Sequence, residues 1–281
     1  MKSFIKRHLP AIIVVILVLG LVVRFGLPVG LRAMGLHAPY TGQRYMLPQG
    51  RALIICTSQD TLGEGGAKTG VFGSELTAPY CEFTDGRMKV DIASIQGGEI
   101  PIDPISFKWF IKSPSDVRYL SDSVLQDKVK RSLLIDDIDF TKYDIIYLAG
   151  GWGAAYDLGV SKVLGDKITR AYGAGKVVGG VCHGPLGLLL ARDEKGNPLV
   201  RGRRLTAVTD KQVKELGITM TPQHPERELR AAGAVFESST AFRDMFANNA
   251  VVDGRIVTGQ NQNAGEEVAN KMIEAAGGAR R

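Results

Sequence analysis

Short apolar runs alternate with segments of helical periodicity over most of this chain. Strand-like runs lie at residues 51–57, 90–95, 144–148, 177–181 and 205–208, a hairpin pattern lies at 251–259, and helical patterns lie at 121–134, 161–172, 184–191, 225–232 and 263–276. Strands that are apolar throughout need cover on both faces, which is typical of a parallel sheet between two layers of helices. The pattern therefore predicts an α/β fold, in which ligands bind at the carboxyl ends of the strands.

An unbroken apolar run at residues 9–23 follows a basic segment at residues 1–8. Fifteen helical residues rise only about 22 Å, whereas the hydrocarbon core of a bilayer is about 30 Å thick. The predicted transmembrane anchor therefore extends over residues 9–31, with Arg24 reaching to the interface. A cleaved secretory signal is the alternative, although its small-residue site, at residues 33–35, lies far beyond the run.

The anchor is predicted to lead through a linker at residues 32–48 into an α/β domain at residues 49–281. Basic residues flank both ends of the apolar run equally, so the positive-inside rule does not fix the orientation. The short basic N-terminus favours a cytoplasmic start, which places the domain on the extracytoplasmic side. The net charge of +6 is scattered and shows no basic block with interleaved aromatics, so nucleic acid is not an expected partner.

The segment VVGGVCHGP, at residues 177–185, carries the clearest chemical signal. A strand enters a sharp turn at Cys182, and an apolar helical pattern follows. This is the layout of a nucleophile elbow, and Gly180 and Gly184 leave room for close backbone approach. A thiol at a helix N-terminus is expected to have a lowered pKa, and the adjacent His183 is a candidate base or acid.

The other cysteines, Cys56 and Cys81, carry no comparable signal. The three cysteines show no Cys-x-x-Cys or Cys/His ligand spacing, so neither a disulfide framework nor a metal site is expected. Cys56 stands in an apolar strand-like run and is predicted to be a small buried hydrophobe.

Five ordered motifs resemble those of the ThiJ/PfpI superfamily, the glutamine-amidotransferase-like α/β proteins. They are GAKTGVFGSE at 66–75, GGEIPIDPIS ending at Ser106, AGGWGAAYDL at 149–158, GGVCHGP at 179–185 and VTGQN at 257–261. Together they are similar to the branch that contains glyoxalase III and its chaperone relatives. The resemblance implies a flavodoxin-like fold, an active site without metal or other cofactor, and a possible homodimer.

The resemblance also implies a role for particular residues. Cys182 would be the nucleophile, and Glu75 would be a buried acid that shuttles a proton beside it. The backbone amides near Gly151 and His183 would form an oxyanion hole.

Two positions depart from the family pattern. Trp152 stands where the family has a histidine, which changes the pocket. Val213 stands where the family has a glutamate that orients the histidine, so His183 is expected to be a weaker base. Asp210 or Glu215 would substitute if the register shifts.

These observations favour a glyoxalase III-like lyase that converts small 2-oxoaldehydes such as methylglyoxal into 2-hydroxy acids. A non-catalytic chaperone-like or redox-sensing membrane protein is the first alternative, favoured by the changes at Trp152 and Val213. An amidase or peptidase-like hydrolase is the second, but it needs an ordered triad. The segment at residues 223–226 (QHPE) resembles part of an amidotransferase triad, yet a helix that starts at its proline is the preferred interpretation.

Overall fold

The structure is a computed structural model, and it describes residues 2–218 and 220–280. Met1, Thr219 and Arg281 lie outside the described residues, so the predicted segments 1–8 and 49–281 are each described in part.

The described residues contain a long N-terminal helix followed by an α/β domain. The α-helices are α1 (Lys2–Ala33), α2 (Gly73–Asp85), α3 (Pro114–Tyr119), α4 (Ser123–Lys130), α5 (Ala154–Asp157), α6 (Lys162–Gly173), α7 (Asp210–Leu216), α8 (Pro225–Ala231) and α9 (Gly265–Ala275). The strands are β1 (Tyr45–Met46), β2 (Arg51–Cys56), β3 (Lys89–Ser94), β4 (Leu133–Leu134), β5 (Ile145–Leu148), β6 (Val177–Val181), β7 (Arg204–Leu205), β8 (Val235–Phe236), β9 (Ala250–Asp253), β10 (Ile256–Gly259) and β11 (Ala279–Arg280).

The central sheet has the strand order β4-β3-β2-β5-β6-β10-β9. Every neighbouring pair is parallel except the edge pair β10 and β9, which is the predicted hairpin. The order β3-β2-β5-β6-β10 is the flavodoxin-like arrangement, and it reverses direction between β2 and β5. The predicted α/β, flavodoxin-like, mostly parallel sheet is confirmed.

Helices cover both faces of this sheet because its central strands are apolar on both sides. Ile54 of β2 packs in a cluster with residues of α2 and α9, whereas its neighbour Leu53 packs in a second cluster with residues of α6. Successive side chains of a strand point to opposite faces, so the five apolar residues of this strand, 52–56, supply both cores. Each fully buried leucine or isoleucine contributes roughly 1.5–3 kcal/mol.

The N-terminal helix stands apart from these cores. Within its segment His8–Ala33, an 18-residue window has a mean hydropathy of 2.8 and is not buried against the domain, so the helix is long and apolar enough to cross a membrane. The predicted linker at 32–48 follows this helix, and much of it packs on the domain. Leu36 is buried, Arg44 forms ion pairs with Glu82 and Glu266, and β1 pairs antiparallel with β11.

Several elements differ from the sequence prediction. The strand predicted at 205–208 is the two-residue β7, which pairs with β8 outside the central sheet. The predicted helix at 121–134 is only α4, and its last residues form the edge strand β4. The predicted helix at 184–191 is a 3₁₀ helix at Gly184–Leu188. The hairpin pattern at 251–259 places its turn at the Asp253-Gly254 pair, whereas the turn lies at Gly254 and Arg255, because Asp253 still pairs with Ile256.

Candidate active site

Cys182 sits at a strained turn at the carboxyl end of β6. Its backbone φ is +59°, in the left-handed region that non-glycine residues rarely adopt. Such a conformation costs about 1–3 kcal/mol and persists where the surrounding structure enforces it. An added Cβ would lie 2.0 Å from the carbonyl oxygen of Leu148 at Gly180, and 2.1 Å from it at Gly184. The two glycines therefore permit the tight turn, as the elbow motif predicts.

Glu75 lies beside Cys182 but follows β2, on the other side of the point between β2 and β5 where the strand order reverses. It lies in the first turn of α2, and only 1% of its surface is exposed. Burial raises the pKa of its carboxyl group to about 8, against the opposing effect of hydrogen bonding to Cys182 and to the amides of Gly150 and Gly151. Glu75 is therefore a neutral acid at pH 7, and it touches the thiol.

The Cys182 thiol is itself almost buried, with 7% of the residue exposed. Burial raises its pKa well above the ordinary value, and the nearby Glu75 charge raises it further. The expectation that a helix terminus lowers this pKa is wrong, because desolvation outweighs the local dipoles. The backbone amides of Gly151 and His183 do favour the thiolate, and these are the two amides expected to form the oxyanion hole.

His183 follows the nucleophile and has a mostly apolar setting. Its Nδ1 lies 3.4 Å from the Cys182 sulfur, and its ring lies 4.8 Å from that of Trp152, centroid to centroid. Among the described residues its Nε2 has no hydrogen-bond partner. Burial lowers the pKa of His183 to about 3, so the imidazole is neutral at physiological pH.

The candidate substitute acids do not orient this histidine. The carboxylate of Asp210 faces His224 and Arg227. Glu215 accepts a hydrogen bond from the amide of Asp244. Val213 is buried in the apolar cluster that also contains Trp152 and Cys182. Cys182, Glu75 and His183 are thus brought together, whereas Asp210 and Glu215 are directed elsewhere.

The QHPE segment starts a helix, as the preferred interpretation expects. His224 is the N-cap of α8, and Pro225 is its first residue. His224 Nδ1 lies 3.3 Å from Asp210 Oδ1, although neither atom has a hydrogen-bond partner in the described part of the chain. Its charge would oppose protonation of His183, which is unlike the role of a triad histidine.

Asp103 was not singled out from the sequence, although it lies within the motif GGEIPIDPIS. Its carboxylate accepts hydrogen bonds from the Thr69 hydroxyl and the Ile105 amide, both at 3.0 Å. Its charge contributes to the raised pKa of Glu75. Asp103 could have been identified as an acidic residue within a family motif, since its motif packs against the motif at 66–75, which contains Thr69 and Glu75. Over residues 2–218 and 220–280, no group of three or more His, Cys, Asp or Glu side chains is arranged to hold a metal ion.

Comparison with known sequences gives a consistent set of relatives. The profile of the DJ-1/PfpI family matches residues 67–275. Glyoxalase 3 of Candida albicans is 30% identical over 245 residues, which cover 80% of this chain and 98% of that protein. The glutathione-independent glyoxalase HSP31 of Saccharomyces cerevisiae is 28% identical over 238 residues, which cover 82% and 99%.

Solved structures agree with this result. The Rapid Encystment Protein 24 KDa of Francisella tularensis superposes with a TM-score of 0.75 at 30% identity, covering 81% of this chain and 99% of that one. The crystal structure of glyoxalase III from Candida albicans superposes with a TM-score of 0.73 at 28% identity, covering 80% and 97%.

Proposed function

Because the chain belongs to the DJ-1/PfpI family, we propose that it converts 2-oxoaldehydes into 2-hydroxy acids, with Cys182 as the nucleophile and without glutathione. The observation that carries the proposal is the strained Cys182 with a neutral, buried Glu75 against its sulfur. Two relatives that match over nearly their whole length are named glutathione-independent glyoxalases, and they support the proposal.

The first step joins the Cys182 sulfur to the aldehyde carbon of the substrate. The S–H bond breaks as the S–C bond forms, and the carbonyl oxygen takes up a proton. The neutral Glu75 carboxyl group accepts the thiol proton on one oxygen while its O–H donates to the carbonyl oxygen, so its charge does not change. The amides of Gly151 and His183 would stabilise negative charge that develops during this exchange.

The second step moves hydrogen between the two substrate carbons. Glu75 takes the proton from the former aldehyde carbon and donates its own to the neighbouring keto oxygen, which gives an enediol. Glu75 then donates a proton to the second carbon and takes the hydroxyl proton from the carbon bonded to sulfur, which leaves a thioester on Cys182 and returns Glu75 to its neutral form. Water hydrolyses the thioester to a 2-hydroxy acid and the free thiol, so the net reaction is the addition of one water molecule.

Turnover of methylglyoxal by the full-length protein in detergent, without glutathione, tests this proposal. Lactate is the expected product, and Cys182→Ala should reduce its formation at least about 1000-fold, because the covalent step is lost. Cys81→Ala removes another buried thiol, on α2, and should keep the wild-type rate. Equal rates in the wild type and Cys182→Ala would contradict the assignment.

The alternative of an amidase or peptidase is not favoured by this geometry, since His183 lacks an orienting acid among the described residues. A redox sensor needs an accessible thiolate, whereas burial raises the pKa of Cys182.

We further propose that residues 9–31 anchor the protein in a membrane, with the domain on the extracytoplasmic side. The support is an unburied apolar helix preceded by a short basic segment. A periplasmic-type phosphatase fused to the C-terminus should be active. An inactive phosphatase fusion together with an active cytoplasmic reporter would reverse the orientation.

A further inference from the structure

A cleft of about 270 Å³ opens beside the candidate active site. Trp152 forms part of its wall, and the same ring packs on His183. Phe72, the N-cap of the helix that carries Glu75, forms another part. Asp103 lies at the cleft too, and its charge acts on Glu75. The cleft and the reacting thiol therefore share their walls.

The rest of the cleft is mainly apolar. Nine of its thirteen lining residues are apolar, including Leu36, Ile105, Ile111, Leu216 and Ile218. The methyl group of methylglyoxal would fill only a small part of this space. Apolar surface that stays wet contributes nothing to binding, whereas an alkyl chain placed there would gain about fourfold in affinity for each methylene buried.

The outer side of the same wall faces the N-terminal helix. The segment FKWFIK, at residues 107–112, combines aromatic and lysine side chains, as segments at a membrane interface do. Trp109 is 37% exposed, and the guanidinium of Arg24 lies 4.8 Å from the centroid of its ring. Arg24 lies within the proposed anchor at residues 9–31 and is expected to reach to the membrane interface, so this side of the cleft lies near that interface.

Building on the function proposed above, we infer that the preferred substrates are 2-oxoaldehydes that carry an alkyl chain, and that the cleft beside Trp152 holds the chain. The aldehyde carbon reaches Cys182, while the chain runs between the segment at 105–111 and the end of α7. The chemistry of the reaction is unchanged, and the cleft determines which aldehyde is used.

The experiment compares kcat/KM for 2-oxooctanal and methylglyoxal with the full-length protein in phospholipid nanodiscs. The wild type should prefer 2-oxooctanal by at least about tenfold, from two or more buried methylenes. Leu216→Asp places a charge in the apolar wall at a residue that is 40% exposed, and it should lower this preference at least tenfold. Ile105→Asp, at another lining residue that is 48% exposed, provides a second test.

Val163→Asp is the matched control, because Val163 is a 37% exposed residue of α6, away from the cleft. It should leave the wild-type preference intact. The preference is measured with 2-oxooctanal supplied in the enzyme's own nanodiscs and in separate ones. The tenfold preference is expected with both supplies, because the cleft selects the chain; a preference seen only with the enzyme's own nanodiscs would overturn the inference.

The outcomes separate this inference from the proposed function. Turnover of methylglyoxal with no preference for 2-oxooctanal overturns the inference and leaves the function standing. An unchanged preference in both Leu216→Asp and Ile105→Asp overturns the assignment of the cleft. No turnover of either aldehyde by the wild type overturns the function and the inference together.

Discussion

Replacing Glu75 with glutamine should make the protein more stable at alkaline pH while removing its activity. Glutamine keeps the size of the side chain but carries no ionisable proton. Glu75 is buried against Cys182, and a neutral amide avoids the cost of charging it there. If Glu75 transfers protons as proposed, kcat should fall at least about 100-fold.

The raised pKa determines how this stabilisation depends on pH. Below about pH 4.5 the carboxyl group is protonated in both the folded and the unfolded chain, so the glutamine variant has no advantage. Between pH 4.5 and about 8 only the unfolded chain ionises, and the wild type loses about 1.4 kcal/mol of unfolding free energy for each pH unit. Above about pH 8 the folded state ionises as well, and the loss levels off at roughly 5 kcal/mol.

Urea unfolding of the wild type and Glu75→Gln at several pH values between 4.5 and 8.5 measures this difference. The fluorescence of Trp109 and Trp152 can report the transition. Taking the difference between the two proteins cancels contributions of other groups, including His183. Glu64→Gln makes the same substitution at an exposed position and controls for the chemistry of the replacement. A difference that does not change with pH would refute the buried, neutral Glu75.

Two further predictions concern the same site, and a third, at the end of α6, serves as a comparison. Gly150→Ala should cost about 1–3 kcal/mol of unfolding free energy and most of the activity, because its Cβ would lie 2.5 Å from Glu75 Oε2 and 2.7 Å from the His183 amide nitrogen. Gly173→Ala meets open space at the end of α6. In a thermal unfolding assay it should instead stabilise the protein by roughly 0.5–1 kcal/mol. The pH profile of kcat/KM should be flat from pH 5 to 7, since His183 stays neutral with its pKa at about 3. The value of kcat/KM should fall above about pH 8 as Glu75 ionises. A rise centred near pH 6.5 would instead indicate a titrating histidine.

The local features of this protein could be predicted from its sequence because they depend on neighbouring residues. The small residues around Cys182 indicate a tight turn, and the apolar runs indicate buried strands. The direction of the Cys182 pKa could not be predicted in the same way. It depends on burial by distant segments and on the charge of Glu75, more than 100 positions away in the chain, and these exceed the effect of the local dipoles.

The boundaries of short helices and strands also could not be predicted from the sequence pattern. Residues 184–191 have a helical spacing of apolar side chains, but the chain must pass close to Leu148, and a 3₁₀ turn results. Leu133 and Leu134 continue the apparent periodicity of α4, yet they pair with β3 at the edge of the sheet. In each case tertiary contacts outweigh a weak local preference.

The pairing of β1 with β11 has a mechanical consequence. The chain leaves α1 through a segment that is secured by this two-residue ladder and by the ion pairs of Arg44 with Glu82 and Glu266. Tension applied along α1 would therefore act on buried Leu36, on the hydrogen bond from the His37 amide to Asn263 and then on these bonds before it reached the central sheet. These contacts would break first, and the domain would then move away from α1 while the turn at Cys182 kept its shape.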